Sequence, residues 1–391
     1  MTRLLLITLL AGCSAAPVPP AAVPKEQREL NLPKPRDLVP IFSDAARQIR
    51  ATRLRLDRAG HPWLRGSTHV HTLYSGDSRT RPEKVVKWYA DRDYDFIVIT
   101  DHNRVTDGVS ANLKSDSLIV MSGNELTNNP PSCEPPPPEP KGKCRVHVNA
   151  LFASNYPPNT SGERPEKIEW REKKSIARVD LYQAALTKTK ELGGLAQLNH
   201  PTWHWGVDGA LTVELAKRGL RFIEIANVAF ERWNGGTDAY PGTETLWDAA
   251  LSEGYKLWGV ASDDAHHYYD IERRKAEGGA LYPPGGGFVM VRAERNATSI
   301  EEAMARGDFY ASTGILFARI EITERELIVE LEPSKRRGVS IEFVGTGSKV
   351  LEVTSGTSAR FVLSRVKGSY VRARARAADG SMAWTQPVFV K

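Results

Sequence analysis

The chain has 391 residues, of which 41% are hydrophobic and 26% charged, and these fractions are typical of a folded globular protein. Its formal net charge of +6 is small for this length and does not by itself indicate a nucleic-acid partner. Three cysteines are too few for a scaffold held together by disulfides. No apolar run reaches the roughly eighteen residues that a membrane-spanning helix requires. We therefore expect a folded chain of two or three domains.

The first residues have the pattern of an export signal. Arg3 precedes an apolar run over residues 4–10, and the run ends in Leu-Ala-Gly-Cys13. This ending resembles a bacterial lipobox, which implies cleavage before Cys13 and lipidation of its thiol. We expect residues 1–12 to be a signal peptide and residues 13–40, rich in alanine and proline, to be an extended tether. The chain would then be exported and lipid-anchored at a bacterial membrane, facing the periplasm or the cell surface; an apolar N-terminus without lipid is the alternative.

Cys133 and Cys144 flank the proline-rich residues 134–143, which can form neither a helix nor a central strand. In the oxidising compartment that export implies, such a pair is bridged more often than free. We expect a Cys133–Cys144 disulfide that closes a surface loop, with two unpaired thiols as the alternative. A zinc site made by this pair alone is not expected, because a structural zinc ion takes four ligands.

The nine histidines all lie between His61 and His267, and most belong to short polar motifs next to apolar runs. Runs of four to eight residues rich in valine, isoleucine and leucine are typical of strands buried on both faces. The motifs are His69-Val70-His71, Asp101-His102-Asn103, Glu125, His147, Asn199-His200-Pro201 and Asp263-Asp264-Ala265-His266.

Helical patterns separate several of these strands, over residues 81–90, 177–192 and 243–252. An alternation of strands and helices predicts parallel βαβ units. With residues 222–226 as a further strand the count is about seven, which is enough to close a barrel whose strand ends meet at one mouth. Imidazoles and carboxylates that converge on such a mouth are unfavourable by several kcal/mol unless cations compensate them. The sequence therefore predicts a metal site.

Taken together, these motifs resemble the PHP (polymerase and histidinol phosphatase) superfamily over residues 60 to about 315. Residues 306–314 and 383–389 are similar to the CehA/McbA-type metallohydrolase branch of that superfamily. The resemblance implies an α/β fold: a distorted (β/α)7 PHP barrel over residues 41–315, followed by a small C-terminal antiparallel β-sandwich domain over residues 316–391. It also implies two or three divalent metal ions, typically zinc, manganese or iron.

The resemblance carries over a set of nine metal ligands. Asp77 is the ligand that follows the first His-x-His motif, in Ser75-Gly76-Asp77, where many members have Ser-Asp-Gly. Glu125 is implied as the bridging carboxylate, and Glu125, Asp264 and His266 are placed in the catalytic centre. The whole set is His69, His71, Asp77, His102, Glu125, His147, His200, Asp264 and His266.

Residues beside these ligands are predicted to support the site. Asp101 and Asp263 would orient ligands by hydrogen bonds; a helix cap and a solvated acid are the respective alternatives. Trp203 and Trp205, together with Arg104, are predicted to line a substrate pocket. Packing under a loop is the alternative for the tryptophans, and a solvated surface charge is the alternative for Arg104.

Residues 316–391 alternate between apolar and polar residues with a period of two, which favours a small antiparallel sandwich. One of its strands, at residues 370–377, carries Arg372, Arg374 and Arg376 on one face. We expect this face to be solvated; contact with an anionic lipid or polymer is the alternative.

The sequence therefore predicts a metal-dependent hydrolase that uses a metal-bound hydroxide, most simply on a small phosphoester. A carboxyl or carbamate ester hydrolase of the same fold is one alternative, and a non-catalytic, metal-containing surface-binding lipoprotein is another. The expected partners are a small-molecule ester and, through the N-terminal lipid alone, a membrane. No nucleic-acid partner is expected, since only the mild positive charge supports a nuclease.

Overall fold

The apolar runs form strands of one large mixed sheet in the computed structural model, and the protein has a mixed α/β fold. The structure describes residues 55–56, 62–107, 113, 115, 117–139, 141–157, 163–172, 174–334 and 336–390. The signal peptide, Cys13 and the tether predicted over residues 1–40 lie outside these residues, so lipidation stays a prediction.

Seven strands of the large sheet are neighbours in chain order and correspond to the seven predicted apolar runs. The first three are parallel to one another, and so are the last three. The strands are β2 (Pro62–Val70), β3 (Phe96–Ile99), β4 (Ile119–Asn128), β5 (Val146–Leu151), β6 (Leu195–Leu198), β7 (Phe222–Asn227) and β8 (Trp258–Ser262), and a short β1 (Arg55–Leu56) pairs with the beginning of β2.

The middle strand of the seven differs from the prediction of parallel βαβ units. β5 is antiparallel to both β4 and β6. The amino end of β5 therefore lies at the same edge of the sheet as the carboxyl ends of β4 and β6. His147, the second residue of β5, reaches the site for this reason, although it begins a strand and does not follow one.

The three predicted helices are present, and four more helices are described. Val85, Val86 and Tyr89 of α1 are buried, as the apolar periodicity predicts. No helix in the described part of the chain is long and apolar enough to cross a membrane. The helices are α1 (Pro82–Ala90), α2 (Arg178–Glu191), α3 (Gly209–Lys217), α4 (Glu231–Asn234), α5 (Thr243–Ser252), α6 (Ile271–Ala276) and α7 (Ala297–Arg306).

The predicted closed barrel is not confirmed. Within the described residues no strand ladder joins β8 to β2. A single parallel bridge links Val70, the last residue of β2, to Ala265, which lies three residues after β8. His71 N also donates to the Ala265 carbonyl over 3.0 Å. The two outer members of the seven-strand series therefore approach each other at the edge where the polar motifs lie.

The C-terminal strands extend the large sheet on the other side of β2 and also form a second sheet. β9 (Phe288–Arg292) pairs antiparallel with β2, and β10 (Phe309–Ser312) follows it. The large sheet then continues through β17 (Met382–Thr385), β16 (Tyr370–Arg376), β13 (Ser340–Gly345) and β14 (Lys349–Ser355), with β18 (Val388–Phe389) on β16.

The second sheet is small and antiparallel, and consists of β11 (Phe317–Ile322), β12 (Glu326–Leu331) and β15 (Ser358–Val362). Phe343 of the large sheet and Phe361 of the small sheet pack with ring centroids 5.2 Å apart, so the two sheets share a core. The period-two pattern of residues 316–391 covers β11, β12, β13, β15 and β16, whereas β14, β17 and β18 were not predicted from it. All the described residues belong to one compact unit, and the predicted boundary between residues 315 and 316 stays a prediction.

Arg372 and Arg374 of β16 are not solvated, contrary to the prediction, whereas Arg376 on the same face is 45% exposed. The Arg372 side chain is 0% exposed and donates from Nε and Nη2 to the two Asp248 oxygens of α5, each over 2.8 Å. Arg372 and Arg374 also share Glu244 of α5, at 2.8 Å each. The pattern placed these arginines on one face correctly, but α5 covers that face and supplies carboxylates for it.

Candidate metal centre

All nine predicted ligands gather at the edge of the sheet where the parallel strands end. They form three groups in each of which one potential ligand atom per residue lies within 4.8 Å of the others. His71 belongs to two of the groups. The groups are His71, Asp77, His102 and His266; His69, His71 and Asp264; and Glu125, His147 and His200.

Glu125 is the carboxylate that connects the three groups. Its Oε1 is 2.9 Å from His147 Nδ1 and 3.6 Å from His69 Nε2. Its Oε2 is 2.7 Å from His102 Nδ1 and 3.4 Å from His71 Nε2. A single carboxylate this close to four imidazoles can bridge cations held by neighbouring groups.

Asp264 takes a similar place on the other side of the centre. Its Oδ1 lies 3.3 Å from His69 Nε2 and 3.2 Å from His71 Nε2. The same oxygen is 3.6 Å from His266 Nδ1. Each imidazole of the His69-Val70-His71 motif thus lies close to both carboxylates, Asp264 and Glu125.

Six strands of the seven-strand series deliver the ligands, and the remaining strand, β7, delivers a residue that the sequence analysis missed. Glu224 of β7 is fully buried, and its Oε1 accepts a hydrogen bond from His69 Nδ1 over 2.7 Å. Its Oε2 accepts from the His200 backbone N–H over 2.6 Å and from Asn227 Nδ2 over 2.8 Å. The available signal was an acidic residue inside an otherwise apolar strand, Phe222-Ile-Glu-Ile-Ala226.

Two imidazole nitrogens of the centre are buried and have no hydrogen-bond partner in the described part of the chain. They are Nε2 of His69 and Nε2 of His71, the atoms that face Glu125 and Asp264. In the neutral imidazole, which is the form that binds a metal ion, Nδ1 of His69 donates to Glu224 and Nε2 carries the lone pair. A buried lone pair aimed at two carboxylates is the donor geometry of a metal ligand.

Imidazoles and carboxylates lie close together in this buried site, and the pKa values of several of them are strongly shifted. Burial by itself would lower the pKa of His69, but Asp264, Glu224 and Glu125 raise it well above the ordinary range. Burial, reinforced by His266, lowers the pKa of His71 to about 3.

The pKa values of the two central carboxylates, Glu125 and Asp264, are both lowered. Burial would raise the pKa of Glu125, yet His102, His147 and His69 hold it well below its ordinary value. The surrounding imidazoles, His69 first among them, likewise depress the pKa of Asp264 against the effect of burial. The carboxylates of the centre therefore stay ionised.

Asp77, the ligand carried over from an altered motif, reaches the centre from a more exposed position. Its Oδ2 lies 2.9 Å from His102 Nε2 and 3.3 Å from His266 Nε2. Burial would raise the pKa of Asp77, but hydrogen bonds from His102 and His266 lower it far more. The order Ser75-Gly76-Asp77 therefore still brings a carboxylate to the group of His71, His102 and His266.

Two of the ligand residues adopt backbone conformations that are unusual for residues other than glycine. The φ of His200 is 27° and that of Asp264 is 51°. Each such conformation costs on the order of 1–3 kcal/mol and persists only where the surroundings impose it. Each lies two residues after the end of a strand, β6 for His200 and β8 for Asp264, at the turn that brings its side chain into the centre.

Asp101 and Asp263 are buried but contact the loops of the centre and not its imidazoles. Asp101 accepts hydrogen bonds from the backbone N–H and the hydroxyl of Thr72, at 2.7 and 2.8 Å, which fixes the chain after His71.

Asp263 accepts hydrogen bonds from the backbone N–H groups of Gly285, Gly286 and Gly287 over 2.7–2.8 Å. Burial raises the pKa of the Asp263 carboxyl to about 6. Gly287 is required there, because a Cβ would lie 2.3 Å from the Ser262 carbonyl oxygen.

The predicted pocket residues have three different surroundings. The Trp203 ring stands at right angles to the rings of His147 and His200, with centroids 5.7 and 5.2 Å away. Trp205 packs instead on Tyr240 and Trp233, at 5.0 Å each. Arg104 donates to the Pro165 carbonyl. Trp203 alone of the three contacts ligand rings.

The predicted disulfide is present, and its loop packs beside the centre. Cys133 and Cys144 are joined by a bond of 2.03 Å. Arg178 of α2 donates to the Pro135 carbonyl of the loop and to the Gly206 carbonyl. Glu139 of the loop pairs with His204, whose ring stacks on Trp203 with centroids 5.4 Å apart. The loop and the Trp203 segment thus support each other.

Neither a comparison with protein-family models nor one with curated proteins finds a match for this chain.

Proposed function

We propose that this protein is a metal-dependent hydrolase of small phosphoesters whose active centre is the cluster around Glu125. The observation that carries the proposal is the convergence of nine histidine, aspartate and glutamate side chains into three groups. Two of the groups share His71, and the third contains Glu125, whose Oε2 is 3.4 Å from His71 Nε2. Adjacent groups of this kind suit a pair of cations that clamp the attacking and leaving oxygens of a displacement at phosphorus.

The residues fit divalent cations. The unpaired Nε2 atoms of His69 and His71 are buried, and the nearby carboxylates of Asp264 and Glu125 supply negative charge. Such a set of buried charges is unfavourable without a compensating cation. Imidazole and carboxylate ligands together suit zinc, manganese or iron better than calcium. Two or three such ions would supply Lewis acidity for the activation of water and of a phosphoryl oxygen.

Several residues of this chain would prepare the centre for that chemistry. Glu224 fixes the tautomer of His69, so that Nε2 is the nitrogen presented to the centre. Thr127 pairs with His102 Nδ1 at 2.6 Å and sets the orientation of that ring. Asp101 anchors the turn after His71 through Thr72. These contacts hold the ligands in place before a substrate arrives.

Three aromatic side chains, Trp203, Phe230 and Tyr282, pack against imidazoles of the centre. They favour a substrate with an apolar or planar part. Phe230 packs on His200 with ring centroids 4.4 Å apart, and on Trp203 at 4.8 Å. Tyr282 packs on His266 at 5.3 Å. Because these rings would also suit an aromatic carboxyl or carbamate ester, a hydrolase of such esters is the second candidate function.

The motif resemblance to the PHP superfamily supports the same proposal, as does the order of the seven strands. The bridge between Val70 and Ala265 supports a distorted barrel of the PHP type as the underlying architecture. The Cys133–Cys144 disulfide supports an exported protein, since such bonds persist in oxidising compartments. We propose that Cys13 carries the lipid anchor.

The test is a parallel assay of protein loaded with manganese or zinc. The substrates are 4-nitrophenyl phosphate, bis(4-nitrophenyl) phosphate, 4-nitrophenyl acetate and a single-stranded DNA oligonucleotide. We expect turnover of a phosphoester, loss of that turnover in Asp264→Asn, and full activity in Asp238→Asn, which alters an exposed acid. Turnover of the acetate alone would support the second candidate. No turnover of any substrate by protein with stoichiometric metal would refute both.

A further inference from the structure

Arg145 packs against Trp203, which lies beside the candidate metal centre. It immediately precedes β5, and side chains two positions apart in an extended chain share a face, so Arg145 is expected on the side of His147. Its guanidinium carbon is 4.7 Å from the centroid of the Trp203 ring, which packs on His147 and His200. Arg145 therefore stands beside the group of Glu125, His147 and His200.

The guanidinium of Arg145 has no acceptor within the described residues. Its Nε is buried without a hydrogen-bond partner, and no carboxylate of the described chain forms an ion pair with it. An unpaired buried donor is unfavourable, because it has lost its hydrogen bonds to water without gaining others. Arg178, by contrast, is used structurally: it donates to the carbonyls of Pro135 and Gly206. Among the described residues none accepts from the Arg145 guanidinium, so its donors can serve an acceptor on a substrate.

The position of Arg145 is fixed from several directions. Its neighbour Cys144 is held in the disulfide, and its own carbonyl accepts a hydrogen bond from the Tyr182 hydroxyl over 3.2 Å. Trp203 is held through its neighbour His204, which pairs with Glu139 of the disulfide loop. A cation immobilised in this way loses little conformational freedom when it binds an anion.

We propose that Arg145, held against Trp203, is the specificity site for an anionic oxygen group of the substrate, either a phosphate or a carboxylate. The proposal rests on the hydrolase function, because the anion would be held beside the group of Glu125, His147 and His200. A guanidinium presents planar paired donors that match two oxygens of a phosphate or a carboxylate. The preferred substrate is therefore an anionic ester, and a neutral ester is a poor substrate.

The test is calorimetric titration of the metal-loaded full chain with three probes that share a phenyl ring: phenylphosphonate, benzoate and benzamide. We expect wild type to bind at least one of the two anions more tightly than the neutral amide, and the stronger anion identifies the group. Arg145→Met should weaken anion binding by roughly ten- to hundredfold and leave benzamide unchanged. Arg145→Lys should bind the anion more tightly than Arg145→Met but less tightly than wild type, because lysine keeps the positive charge and lacks the planar pair of donors.

Arg92→Met is the matched control. Arg92 is also half-buried, with its guanidinium 4.2 Å from the Trp88 ring, but it lies just after α1 and its Nη1 donates to the Trp88 carbonyl over 3.0 Å. This variant should bind all three probes as wild type does.

The outcomes separate this proposal from the hydrolase function. If Arg145→Met and Arg145→Lys bind both anions as tightly as wild type, the proposal is overturned, even where the protein hydrolyses phosphoesters. If wild type prefers an anion and Arg145→Met loses the preference in a protein without turnover, the anion site is supported and only the hydrolase function fails.

Discussion

His69 and Glu224 are joined by a hydrogen bond of 2.7 Å although they are 155 positions apart in the chain. The bond links β2 to β7 inside the site, and neither side chain is exposed to solvent. Glu224 also accepts hydrogen bonds from the His200 backbone and from Ser262, over 2.6 Å each, so one carboxylate holds the segment after β6 and the last residue of β8. The geometry of the candidate metal centre thus depends on a residue that is not itself in any of the three groups.

Glu224→Gln is expected to lower the affinity for divalent metal by about 10- to 100-fold. The amide retains an acceptor for His69 Nδ1 but loses the negative charge that makes the imidazole a better ligand. Competition with a chelating dye measures the affinity. Glu272→Gln, at an exposed acid of α6, is the control and should leave it unchanged. Equal affinity in wild type and Glu224→Gln would remove the proposed role of Glu224.

Arg372→Met is expected to destabilise the protein by about 3–5 kcal/mol. The substitution leaves the Asp248 carboxylate, which is 1% exposed, without its partner. Denaturation with urea measures the free energy of unfolding. Arg376→Met on the same strand is the control, because Arg376 is 45% exposed and its loss should change stability by less than about 1 kcal/mol. Similar effects of the two variants would contradict the buried network.

Glu244 is expected to give the network a dependence on pH. Burial would raise its pKa, but Arg372 and Arg374 lower it below the unfolded value of 4.5. Its stabilising contribution is therefore complete above pH 4.5 and is lost as the pH falls through the lower pKa of the folded protein. The difference in unfolding free energy between wild type and Glu244→Gln should be constant near neutral pH and shrink under acid conditions. A difference that grows in acid would contradict this assignment; Glu253→Gln, at an exposed acid, is the control.

The Cys133–Cys144 disulfide is expected to stabilise the fold by about 3 kcal/mol, because it closes a segment of 11 residues in the unfolded chain. The double variant Cys133→Ser, Cys144→Ser should lose this amount in denaturation without reductant, and reductant should then have no further effect. Thiol titration of denatured, unreduced protein carrying Cys13→Ser provides a direct check. Two free thiols in that titration would contradict the bond.

The sequence allowed most strands and the gathering of the ligands to be predicted, because both depend on local patterns. Apolar runs such as residues 96–99 are long enough to identify buried strands, and polar residues at strand ends meet wherever neighbouring strands run in parallel. His147 shows where this reasoning was incomplete. It reaches the centre because β5 is reversed, and strand direction depends on tertiary pairing that no local pattern records.

Glu224 and Arg372 show a second kind of omission. Each is a charged residue in a strand, and the strand pattern is the same whether the charge faces solvent or a buried partner. Their partners, His69 and Asp248, lie 155 and 124 positions away, so only the folded chain brings them together. The hydrogen-bond partners of Glu224 and Arg372 therefore could not be predicted from the residues that neighbour them in the sequence.

Metal stoichiometry of wild type and His71→Ala tests the central claim most directly, because His71 belongs to two of the three groups. After saturation with manganese or zinc and removal of free ions, elemental analysis should find two or three equivalents in wild type. His71→Ala should lose at least one equivalent, and His204→Asn, outside the ligand groups, should lose none. Less than one equivalent in wild type, or an unchanged count in His71→Ala, would contradict the account.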